Sequence, residues 1–124
     1  MKARDTVSKE LDAATQDELY EMANLYPRTT GLPMTVWVGP RGNARHDVRI
    51  KVNMTHGNQM AIDNTAVVAV RPAPSLIAGR LSSEDRHLVF AWLGINAAAI
   101  IAYWDGDIDT AELIQTLKPL PPTT

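Results

Sequence analysis

His46-Asp47-Val48-Arg49-Ile50-Lys51-Val52-Asn53-Met54 alternates without a break between an apolar series, with His46 at its start, and a polar series. A period of two is that of a strand with one buried and one solvated face. Gly39-Pro40-Arg41-Gly42-Asn43-Ala44-Arg45 lies before it, a turn punctuated by glycine and proline that adds two arginines. Residues 32–38 then read as the preceding strand, with Met34, Val36 and Val38 on one face and Thr35 and Trp37 on the other. The two strands form a basic hairpin with an aromatic ring on its outer face.

Further along, 55–58 reads as a turn. Residues 59–62 read as the start of a third strand, interrupted at Asp63-Asn64, and Ala66 to Arg71 as its firm part. Arg71-Pro72-Ala73-Pro74 is expected to close the sheet, because proline has no N–H for the ladder. The result is a meander of three to four antiparallel strands. Residues 6–25, with Val7, Leu11, Ala14, Leu19, Met22 and Leu25 among many charges, predict an N-terminal helix with a thin apolar stripe that ends at Pro27 and Gly31.

Ser82-Ser83-Glu84-Asp85 has capping-box spacing, with Asp in the last position. It opens a helix whose Leu88, Val89, Phe90, Trp92, Leu93, Ile95, Ile100, Ile101, Tyr103 and Trp104 cover almost the whole circumference. Such a helix needs cover on more than one side. The sheet supplies one, leaving the rest to the terminal helices or a second subunit. Asp105-Gly106 ends this helix, and Asp109 caps a short one over 110–117 that stops before Pro119, Pro121 and Pro122.

The expected fold is therefore α+β: the meander packed on one long apolar helix, with an N-terminal and a short C-terminal helix. It forms a single domain over 1–124, with a helical extension over 1–31, the sheet over 32–71, a helical half over 82–117 and a proline-rich tail over 118–124. A length of 124 residues suffices for a core without disulfides or a structural metal. The absence of cysteine excludes zinc ribbons and thiol catalysis. No secretory signal is read at the N-terminus, and the apolar run over 88–104 falls short of a bilayer span, so a cytoplasmic protein without membrane contact is expected.

Net charge is −2, unevenly distributed: residues 1–28 carry −2, residues 29–80 carry +4 and residues 81–124 carry −4. A basic sheet region inside an acidic chain can attract a polyanion, with Trp37, Arg41, Arg45, Arg49, Lys51 and Arg71 as the candidate nucleic-acid-binding residues. The same face reads first as scaffold, with Trp37 packed under the N-terminal helix and the basic groups paired with Asp12, Asp17, Glu18 and Glu21.

Gly79 and Leu81, then Trp92, Asn96, Ile100 and Trp104 on the helix, then Gly106 and Ile108, make a pattern that resembles a family of small uncharacterised bacterial proteins. Some of its members are encoded beside a second small protein, in toxin–antitoxin-like pairs. The resemblance covers about residues 46–108 and implies the sheet-plus-helix fold, with no activity to carry over. The order helix, three strands, helix also matches double-stranded-RNA-binding domains. However, Ser83-Glu84-Asp85-Arg86-His87 stands where those domains carry lysines.

No catalytic residue, metal site or cofactor is assigned. His46, His56 and His87 are not brought together by spacing, and each has an ordinary structural explanation. Asp105, Asp107 and Asp109 start like a calcium loop but meet Thr110 and Thr116 where glycine and glutamate are required. Three functions follow in order: a non-enzymatic interaction module that forms a homo-oligomer or binds a small protein partner; a nucleic-acid binder using the basic hairpin; and a small RNase-like toxin centred on His46.

Overall fold

The computed structural model describes residues 22–122. In chain order these form strand β1 (Ala23–Leu25), the single-turn helix α1 (Pro27–Thr30), β2 (Val36–Val38), β3 (Arg49–Asn53) and a 3-10 turn (Ile62–Asn64). There follow β4 (Thr65–Ala69), β5 (Ser75–Ala78), the long helix α2 (Ser83–Trp104) and the short helix α3 (Thr110–Thr116). The fold is α+β, a five-stranded antiparallel sheet in the order β1-β2-β3-β4-β5 with one long and one short helix.

The alternation of β3 is realised from Arg49 to Val52 and breaks at Asn53, which was expected on the solvated face and is buried. Ile50 and Val52 are fully buried, while Arg49 and Lys51 are half-exposed on the opposite face. Register sets Ile50 beside Val38 and Val68, and Lys51 beside Trp37 and Val67. Val36, Val38, Ile50, Val52 and Val68 share one core with Val89, Trp92, Leu93 and Ile100 of α2, so the helix covers the inner face of the sheet.

Several expectations need correction. The predicted N-terminal helix lies mostly outside the described residues, and its last residues, Ala23–Leu25, are a strand paired with β2 through Ala23 to Val38 and Leu25 to Val36. Met22 and Leu25 fit a helical stripe, but Ala23 and Leu25 also alternate around exposed Asn24, and pairing with the β2 edge decides between them. The first predicted strand contracts to Val36–Val38, with Met34 making only an isolated bridge to Gly57. The second contracts to Arg49–Asn53. Residues 59–61 are loop, because Asn53 takes over their pairing: its Oδ1 accepts the Ala61 N–H and its Nδ2 donates to the Thr55 carbonyl.

The sheet also continues beyond the prolines expected to close it. Pro72 and Pro74 sit in the connection, where no ladder bond is required of them, and β5 then pairs back onto β4 with an irregularity at Val67/Val68. At Gly79, whose φ is 80°, a Cβ would meet the Ala66 backbone at 2.6 Å, so only glycine lets the chain leave β5 this closely.

α2 begins where expected, but with half of the capping box: Ser82 Oγ accepts the Asp85 N–H at 3.0 Å, while the Asp85 carboxylate pairs with His56. α3 carries a complete capping box between Asp109 and Glu112. By length and composition α2 could cross a membrane, yet its Val89, Trp92, Leu93 and Ile100 side is committed to the sheet. The proline-rich tail is docked: Leu120 donates its N–H to the Thr30 carbonyl at 2.7 Å, and Asn96 grips Lys118.

Candidate functional site

The outer face of the sheet carries a row running across the strands from Asn24 through Trp37, Lys51 and Val67 to Ala78. Trp37 is half-buried and its Nε1 donates to Asn24 Oδ1 at 2.9 Å, which fixes the ring against β1. Lys51 is half-buried and engaged. Arg41 and Arg45 are exposed in the hairpin turn, which is anchored by the Arg41 N–H donating to the Trp104 carbonyl at 2.9 Å.

Arg71 is exposed, with Val68 and Val70 facing inward, but its guanidinium grips Asp47. Nε donates to Oδ2 at 2.9 Å and Nη2 to Oδ1 at 2.8 Å. Those bonds, helped by the Val48 N–H, lower the Asp47 carboxyl to about 2, and the same carboxylate raises the Arg71 pKa.

His46 precedes β3 and lies half-buried at the edge of the core. It lines a cavity of about 20 Å³ together with Arg49, Lys51, Gly39, Pro40 and Trp104. Its ring lies 5.4 Å from that of Trp104, and Nδ1 donates to the Asp47 carbonyl at 2.8 Å. The volume holds about one water and no substrate. Arg49 Nε is buried beside it without a hydrogen-bond partner.

A different histidine acquires a partner that spacing does not reveal. His56 Nε2 lies 2.9 and 3.1 Å from the two oxygens of Asp85, whose carboxylate is mostly buried at the first turn of α2. Two long-range contacts hold the His56 turn rigidly: the Gly57 N–H donates to the Pro33 carbonyl, and Thr35 Oγ1 donates to the Gly57 carbonyl. The one local sign was the aspartate in the capping-box position, a side chain shorter than the usual Glu and therefore available to another partner.

This pair borders an open cleft of about 350 Å³, lined by Gly31, Leu32, Pro33, His56, Glu84, Leu88, Leu120, Pro121 and Pro122. No cluster of three metal-ligating side chains occurs among the described residues.

Comparison with protein-family models, curated proteins and solved structures gives no match.

Proposed function

We propose that the protein is a non-enzymatic interaction module that self-associates through the side of α2 that the other described residues leave uncovered. The observation that carries this reading is compositional and positional at once. From Leu88 to Trp104 every residue left exposed or half-exposed is apolar, with Gly94, Ile95 and Ala98 at the centre. A helix side that faces water ordinarily carries polar groups.

The chemistry of this side favours a second copy of the chain as its partner. Ile95, 48% exposed, projects beside the small residues Ala91, Gly94 and Ala98, so one face offers both a knob and the hollow to receive it. Such a face is self-complementary under a two-fold axis. His87 and Asp105 are exposed on the same line and lie nine residues to either side of Asn96. Antiparallel packing centred there brings His87 of one protomer to Asp105 of its partner, and small residues let the helix axes approach to about 8 Å.

Light scattering of the full chain tests this. A dimer is expected, and Ala98→Arg or Ile95→Asp gives a monomer with an unchanged circular-dichroism spectrum. A wild-type chain that stays monomeric at high concentration overturns the reading.

A second reading is supported by Arg41 and Arg45, exposed on a hairpin with Arg49 at its base. As a nucleic-acid interface these would bind RNA or DNA with an affinity that falls steeply with salt, and Arg41→Glu with Arg45→Glu would abolish it. Binding that is absent or indifferent to salt removes this alternative.

A further inference from the structure

Arg41 and Arg45 of the β2–β3 hairpin are exposed, whereas Arg49 is half-buried and its Nε has no acceptor among the described residues. A charged donor withdrawn from water without a replacement acceptor is costly. Asp47, two residues earlier, does not supply one, because both its oxygens are held by Arg71. Arg49 instead lines the cavity of about 20 Å³, with Lys51, Met22, Pro40 and Trp104 among its neighbours there. No carboxylate lines this cavity among the described residues. Its walls are fixed in place: the Arg41 N–H donates to the Trp104 carbonyl, and the His46 ring lies against that of Trp104. A water accepting from Nε has two hydrogens of its own to place, yet Arg49 and Lys51 are donor-only groups. A small anion needs donors alone.

We propose that this cavity is a binding site for one halide-sized monovalent anion, accepting from Arg49 Nε and resting on the apolar surface of Met22, Pro40 and Trp104. Lys51 has a partner of its own, so Arg49 carries the recognition. The volume admits a single ion but does not enclose a sulfate or phosphate. The bound ion ties the base of the hairpin to its turn and to the end of α2. The site uses none of Ala91, Gly94, Ile95 and Ala98, and so stands whether or not the chain self-associates.

The test is thermal melting of the full chain at neutral pH and one ionic strength, in sodium chloride and in sodium gluconate, whose anion is too large to enter. Chloride is expected to raise Tm over gluconate by about 5 °C, the shift that accompanies a roughly tenfold gain in the folding equilibrium constant. Arg49→Gln removes this difference, and Arg28→Gln, outside the cavity, leaves it intact. Arg49→Gln also changes the baseline stability, so a wild-type crystal soaked in bromide supplies an independent readout: an anomalous peak at hydrogen-bond distance from Arg49 Nε. Equal melting in the two salts, a difference that survives Arg49→Gln, or bromide found on the outer surface as an adventitious ion only would overturn the proposal.

Discussion

Asn96 holds both backbone groups of Lys118: its Nδ2 donates to the Lys118 carbonyl at 2.9 Å, and its Oδ1 accepts the Lys118 N–H at 2.8 Å. The second hydrogen of Nδ2 goes to the Trp92 carbonyl at 3.0 Å. This buried side chain thus uses both donors and its carbonyl, and in doing so supplies the tail with the pairing that a strand would have given. Asn96→Ala strands Lys118 N–H and C=O, and is expected to cost about 1–3 kcal/mol. Urea denaturation measures the loss, and hydrogen exchange should quicken selectively at Leu117, Lys118 and Leu120.

Gly31 fixes the same tail from the other side. Its φ of 79° lies in the left-handed region, and a Cβ there would collide with the Leu120 carbonyl. Gly31→Ala therefore adds the left-handed penalty of about 1 kcal/mol to the loss of the Leu120 docking. Because both substitutions release one segment, Gly31→Ala and Asn96→Ala together should cost less than the sum of the two. A double-mutant cycle that is strictly additive would show that the tail is held by independent contacts.

The legible parts of the chain were those whose local pattern agrees with its tertiary role. The alternation from Arg49 to Val52, the start of α2 at Ser82 and the cap at Asp109 are short-range rules, and the folded chain obeys them. β1 and β5 were hidden because β1 lies within a run that also fits a helical stripe and β5 follows two prolines, and pairing with their neighbours defines them. His56 and Asp85 were invisible as a pair because 29 residues separate them and the loop between them folds through long-range contacts. Arg71 was readable as a cation, yet its engagement with Asp47 follows from the register of β3 with β4, which sets residue 47 opposite residue 71 and is not displayed by either segment alone.

The ion pair of Asp47 with Arg71 makes stability depend on pH in a defined direction. The folded carboxyl sits at about 2, against 3.8 when unperturbed. The unfolded chain therefore binds the proton first on acidification, so the contribution is present above the unfolded value and disappears as pH falls toward 2. Both side chains are well exposed, at 41% and 54%, so the effect is small and weakens with salt. Melting curves of the wild type and of Asp47→Asn at low ionic strength should differ near pH 6 and converge by about pH 2. A difference that persists there would trace to the Asp47 side chain's other contacts.

Trp92 is fully buried, and its Nε1 has no hydrogen-bond partner. Two opposing terms follow for substitution. Removing the indole N–H relieves a desolvated donor worth about 1–3 kcal/mol, whereas the smaller ring leaves a void whose lining loses its contacts. In Trp92→Phe these terms offset, and the change in unfolding free energy is expected to stay within about 1 kcal/mol. Trp92→Ala keeps only the loss and should cost about 3–5 kcal/mol, enough to unfold a marginal domain. Chemical denaturation followed by circular dichroism distinguishes them. A Phe variant as damaged as the Ala variant would mean that the full indole outline, rather than apolar bulk, holds α2 in the core it shares with the sheet.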